Sequence, residues 1–180
     1  KVAIVHDWLT NQGGGERVVW ALHKASPDAP IYTSVYRPES LPQFNEVDIR
    51  TSFLQSWPWA KSKHQLYPTL RTIAFESFDF SQFDVVISSC SAESKGIITL
   101  PSTLHLCYIH TPTRYYWSDY AKYRSNTGFG VLSPLVRAVM PRLINKMRQW
   151  DFAAAQRVDH FVANSAYVAR RVKKYYRRDA

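Results

Sequence analysis

Cysteine is nearly missing: Cys90 and Cys107 are the only two in 180 residues. Both fall in strand-like apolar segments, DVVISSC and LHLCYIH, without CxxC spacing or a nearby histidine pair. That excludes a disulfide framework and a zinc site, and leaves two buried free thiols. Low-complexity tracts are absent, and with 46% apolar against 21% charged residues the composition is that of a chain that folds. No apolar stretch approaches the roughly 20 residues that a membrane-spanning helix needs, and no basic leader precedes a short apolar core with a cleavage site. The expected location is therefore the cytoplasm, including the inner face of its membrane. At this length the prior is one domain with a continuous core.

Acidic residues are also scarce towards the end. From Arg137 to Ala180 there are eleven Lys/Arg against three Asp/Glu, whereas Lys1–Val136 holds twelve against eleven. Nearly all of the net charge of +9 therefore sits in the last quarter. Such a block either attracts phosphate-rich partners, whether nucleic acid, anionic lipid or phosphorylated substrate, or is a solvated helical face.

What is present alternates between strand and helix. VAIVH (Val2–His6) is a short apolar run, followed by a helix over Gly15–Ala25 that Pro27 and Pro30 end. IYTSVY (Ile31–Tyr36) and the weaker VDIRTSF (Val47–Phe53) read as strands. DVVISSC (Asp84–Cys90), TLHLCYI (Thr103–Ile109) and DHFVANS (Asp159–Ser165) are mostly apolar on both alternations, as strands covered on two faces are. The economical fold is α/β: a Rossmann-like, doubly wound parallel sheet. Two aromatic stretches, Trp57–Phe83 and Thr111–Gly130, are read as insertions at strand ends; the first has basic residues including Lys61, Lys63, His64 and Arg71, and a helix around Leu70–Ser77. Ser133-Pro134 opens a helix towards Val158 that Pro141 is expected to kink or restart. Asn164 or Ser165 caps AYVARRVKKYYRRD, with an apolar stripe of Val168, Val172, Tyr175 and Tyr176. A basic helix with no strand or turn after it leads to the expectation that the natural protein continues.

Two stretches carry chemistry. GGGER (Gly13–Arg17) lies between the first strand and the first helix. Unpaired N–H groups and the helix dipole favour an anion there, and Gly13, Gly14 and Gly15 let a phosphate reach the backbone. Neither GxGxxG nor GK[ST] is present, so dinucleotide and P-loop readings lose ground; a plain turn of small residues is the bland alternative. In LHLCYIHTPTRYYW (Leu104–Trp117), His110 falls where the carboxyl end of a strand meets the crevice of an open α/β sheet, followed by Arg114. Histidine there can hydrogen-bond a sugar hydroxyl or phosphate, and arginine pairs with phosphate bidentately; taken alone, such a histidine is more often structural. Asp7 and Glu93 are strand-end carboxylates that could touch a donor or an acceptor, or simply cap a turn. His105 and His160 read as structural, His23 lies on the first helix, no two histidines share metal-ligand spacing, and no GxSxG elbow occurs.

HDWLTNQGGGERVVWAL, IYTSVY, TSFLQ, FDVVISSCSAESKGIIT, LCYIHTPTRYYW and VANSAYVARRV resemble the N-terminal domain of family 4 glycosyltransferases, particularly the bacterial mannosyltransferase-like branch that acts on lipid-linked saccharides. The resemblance runs from Lys1 to about Val172. It implies the GT-B architecture, two Rossmann-like domains facing a cleft, with residues 1–180 as the N-terminal, acceptor-side domain. It also implies retention at the transferred sugar, no metal and no cofactor beyond the nucleoside-diphosphate sugar donor. By the same resemblance Gly13–Gly15 contact the donor diphosphate and His110 the donor sugar. The carboxylate pair that holds the sugar belongs to a C-terminal domain outside this sequence, so the fragment alone is expected to be catalytically silent. Gly15 stands where the family commonly has alanine or another small residue, which leaves open which glycines touch phosphate. The implied partners are a saccharide or polyprenyl-linked acceptor and the inner membrane surface. The transition state is oxocarbenium-like while charge gathers on the leaving diphosphate, and one well-placed N–H donor is worth roughly 2.7–4 kcal/mol in comparable anion holes. Two other functions compete. A basic nucleic-acid-binding module fits the pI near 9.7, but no recognised motif supports it. A nicotinamide oxidoreductase rests on fold class alone.

Overall fold

The computed structural model describes residues 1–63, 66–125 and 133–180. His64 and the end of the Thr111–Gly130 stretch lie outside the described residues. Six strands form one parallel sheet: β1 (Val2–His6), β2 (Ile31–Thr33), β3 (Ile49–Thr51), β4 (Val85–Cys90), β5 (Leu104–Ile109) and β6 (His160–Ala163). Their spatial order is β3-β2-β1-β4-β5-β6. The order reverses at β1, which pairs with β2 on one side and with β4 on the other, Val2 opposite Val85 and His6 opposite Ser89. Open sheets bind ligands beyond the carboxyl ends of the strands at such a reversal.

Among the described residues six α-helices accompany the sheet: α1 (Gly14–Ala25), α2 (Ala60–Lys63), α3 (Pro68–Glu76), α4 (Tyr120–Ser125), α5 (Ser133–Gln156) and α6 (Ala166–Tyr176). Successive residues of β1 serve opposite faces, as a pleated strand requires. Ile4 packs with Leu9, Val19, Ile31 and Phe44 beside α1, while Ala3 and Val5 join Phe75, Phe80 and Val86 beside α3. A third cluster sets Cys107 and Ile109 of β5 against Ala155, Val172 and Tyr176 of α5 and α6. The Rossmann-like α/β expectation is thus met, with apolar strand residues covered on both sides. Cys90 and Cys107 are free and buried.

Three expectations need correction. β2 stops at Thr33 because Ser34 turns inward, its hydroxyl bonding the carbonyl of Asp7; beyond it only an isolated Leu9–Tyr36 bridge continues the pairing. β3 is three residues, since Ser52 caps a 3₁₀ turn, Phe53–Ser56, by accepting from the Leu54 amide. Nor does Pro141 restart a helix: α5 runs through it unbroken. The carbonyl that Pro141 leaves without an N–H partner belongs to exposed Arg137, where water can reach it. Ser165, one of the two residues expected to cap α6, does so by accepting from the Val168 amide, and Val168, Val172 and Tyr176 form its buried stripe. Among the described residues no helix is long and apolar enough to cross a membrane.

Candidate functional site

The glycine run forms the entry to α1. Gly13 is the N-cap, with extended backbone and no side-chain cap, and its carbonyl accepts the first helical bond from Arg17. The amides of Gly14, Gly15 and Glu16 therefore open the helix, and no protein acceptor for them exists among the described residues. Each glycine meets different surroundings. A Cβ on Gly13 would sit 2.7 Å from the Glu16 carboxylate, which folds back over the helix start. On Gly14 it would meet nothing within 4 Å. On Gly15 it would lie 3.2 Å from Cε1 of His6 and 3.7 Å from Nε2 of His110. A side chain at Gly15 would thus press on the His6 ring, which would have to give by a few tenths of an ångström, and would meet His110 at ordinary contact.

Those imidazoles come from strands on either side of β4. His6 ends β1, and His110 directly follows β5. Ser89 of β4 lies between them: its carbonyl is 2.8 Å from His6 Nδ1, and its hydroxyl 2.8 Å from His110 Nε2. A carbonyl only accepts, so His6 carries its hydrogen on Nδ1 and turns its Nε2 edge to Gly15. Burial lowers the His110 pKa, and the neighbouring His6 lowers it further against the pull of Asp7. His110 is thus a neutral imidazole at neutral pH, able to donate one hydrogen bond and accept another.

Asp7 and Glu93, read from the sequence as possible ligand contacts, are internal. Asp7 is 1% exposed, and its carboxylate accepts from the amides of Ser91, Ala92 and Ser94 at 2.6, 3.0 and 2.8 Å. It thereby ties the end of β1 to the segment after β4. Glu93 is fully buried, paired with Arg71 at 3.0 Å and accepting from the Tyr116 hydroxyl at 2.8 Å. Burial raises its pKa, and Arg71 opposes that rise. Arg114 is exposed at the mouth of a cleft of about 470 Å³ that also includes Trp8, Ser91, His110, Thr111 and Arg171. His110 belongs to both places, bordering the glycine backbone and lining the cleft.

A second buried pair holds the loop that carries His110. Asp151 of α5 receives Lys95, the Thr113 hydroxyl at 3.0 Å, Trp117 Nε1 at 2.7 Å and the Tyr176 hydroxyl at 2.8 Å. Burial opposes the Lys95 charge, yet Asp151 and further neighbours keep its pKa well above the usual lysine value. His110 and the glycines, singled out in the sequence, lie together here, joined by His6 and Ser89, which the sequence did not single out; nor did it single out Arg171. His6 occupies the same strand-end position that drew attention to His110, so that signal was readable. Ser89 and Arg171 gave none, since their roles depend on which strands become neighbours.

No curated protein and no solved structure matches the chain. A family model, Glycosyltransferase Family 4, matches residues 12–180, from just before the glycine run to the last residue. A nucleotide-sugar donor and an acceptor are what such a domain serves, and the open amides beside paired imidazoles at the sheet reversal suit that chemistry. The chain belongs to glycosyltransferase family 4.

Proposed function

We propose that this is the N-terminal domain of a retaining, metal-independent GT-B enzyme that moves a hexose, with mannose the first donor sugar to test, from a nucleoside diphosphate to a saccharide or polyprenyl-linked acceptor at the inner membrane face. The observation that carries the reading is the meeting of His110 with the Gly15 backbone, 3.7 Å from the position of a Cβ there. Gly14 and Gly15 present amides to the leaving diphosphate, with Gly13 as the cap beneath the Glu16 carboxylate. The positive helix end offsets the charge that gathers there during transfer. His110, held through Ser89, contacts the sugar as a neutral hydrogen-bonding group. A C-terminal domain, implied by the family resemblance, supplies the groups that hold the nucleotide and the far side of the sugar.

The test is sugar transfer by the full-length protein from a panel of nucleoside-diphosphate hexoses. His110→Ala should lower kcat/KM by roughly a hundredfold or more, as loss of one positioned polar group does. Gly14→Asp should fold normally, because a side chain there meets open space and a carboxylate suits a helix start. It should nevertheless raise the donor KM steeply by repelling the diphosphate. Unchanged turnover in both variants would remove the proposed site.

A further inference from the structure

Among the described residues, the cleft beside His110 is lined by two guanidinium groups and no carboxylate. Arg114, Arg171 and His110 line it, and its wall includes the rings of Trp8, Tyr123 and Tyr167. Arg171, from α6, donates to neutral oxygens, Thr111 Oγ1, Ser118 Oγ at 2.8 Å and, more distantly, the Pro112 carbonyl at 3.5 Å, and its guanidinium lies 5.8 Å from the ring centres of Tyr167 and Tyr175. Its Nε is buried and has no hydrogen-bond partner among the described residues. Arg114, in the loop after β5, has no side-chain partner among the described residues. Asp119, the carboxylate nearest these groups in the sequence, takes the Ser118 hydroxyl at 2.8 Å. A purely structural Arg171, clamping the segment from Thr111 to Ser118, would account for its three bonds. It would not account for a second arginine on the same cleft.

We propose that this cleft binds an anionic saccharide, with a phosphate or carboxylate held between Arg114 and Arg171 and the sugar ring resting on the aromatic wall. Guanidinium groups favour oxyanions with two acceptor oxygens, and aromatic faces suit the apolar faces of sugar rings. The volume, about 470 Å³, lies in the range of small-molecule sites. Because His110 lines the cleft and also borders Gly15, the bound saccharide sits next to the migrating hexose. Calling it the acceptor rests on the transferase reading above; the binding of an anionic sugar does not.

Two measurements on the full-length protein separate these claims. In the first, glucose 1-phosphate, glucuronate and glucose are titrated while tryptophan fluorescence is followed. The expected result is binding of one or both anionic sugars and not of glucose, with phosphate against carboxylate decided by which one binds. Arg114→Gln and Arg171→Gln should each weaken that binding by roughly tenfold or more, as loss of a hydrogen bond to a charged group does. Arg171→Lys should lose less than Arg171→Gln. In the second, transfer is assayed with matched neutral and anionic acceptors, and the two Gln variants should raise the anionic acceptor's KM while leaving the donor KM unchanged. Binding without transfer to any acceptor would keep the anionic site and remove the transferase reading. Transfer with equal use of neutral and anionic acceptors, indifferent to both Gln variants, would overturn the site and leave that reading standing. Sugar-phosphate binding that survives both Gln variants but disappears in Gly14→Asp belongs to the glycine run and also overturns it.

Discussion

At the scale of single residues, the three glycines divide into different tasks. Alanine at Gly14 enters open space in a first helical turn, so Gly14→Ala should raise stability by about 0.4–1 kcal/mol through the unfolded chain. Alanine at Gly15 meets the His6 ring at 3.2 Å, tight enough that the imidazole must shift. Gly15→Ala should therefore show little or none of that gain in a thermal melt and lose transfer activity more severely than Gly14→Ala. Equal activity losses in the two variants would contradict the packing argument. The glycines and His110 were visible in the sequence because their chemistry is local: a small-residue run before a helix, an imidazole after an apolar strand. The burial of Asp7 and Glu93 was not visible. Each looks like an accessible strand-end carboxylate until the chain returns, 84 to 87 residues later for the amides that Asp7 binds and 22 residues earlier for Arg71.

At the scale of elements, α5 holds the segments after β4 and β5 and helix α6 together. Asp151 reaches the segment after β4 through Lys95, the loop after β5 through Thr113 and Trp117, and α6 through Tyr176. Removing one charge of a buried pair strands the other, at about 3–5 kcal/mol. Asp151→Asn should lower the denaturation midpoint accordingly, and adding Lys95→Met should recover part of the loss, the signature of direct coupling. Packing makes a parallel demand at Gly96, where a Cβ would fall 2.3 Å from the Trp150 ring of α5. Gly96→Ala should cost about 1–3 kcal/mol by overpacking, and combining it with Trp150→Leu should relieve that cost. Most elements were legible from periodicity, since β4, β5 and α6 are strongly patterned. β2 and β3 ran shorter than their β-branched residues suggested, because Ser34 and Ser52 found hydrogen bonds outside the ladder.

At the scale of the whole molecule, acid should weaken the fold through His105. Burial lowers its pKa to about 4, its Nε2 meets the Ser88 hydroxyl at 2.9 Å, and its Nδ1 is buried with no hydrogen-bond partner among the described residues. Below the ordinary histidine value near 6.5 the unfolded chain takes up a proton that the folded chain refuses. Stability therefore falls as pH drops from about 6.5 to about 4, by on the order of 3 kcal/mol from this group, and the contribution levels off below that. Urea titrations across this interval should show the slope, and His105→Gln should flatten it. The pairing of β1 with β4 has another consequence, for the newborn chain. Val2 pairs with Val85 across 83 residues, so β1 must wait for that much polypeptide to be made before its central partner exists. At roughly 5–20 residues per second the delay is on the order of 4 to 17 seconds, during which β1 has only β2 beside it and its other edge is open to chaperones and to misassembly.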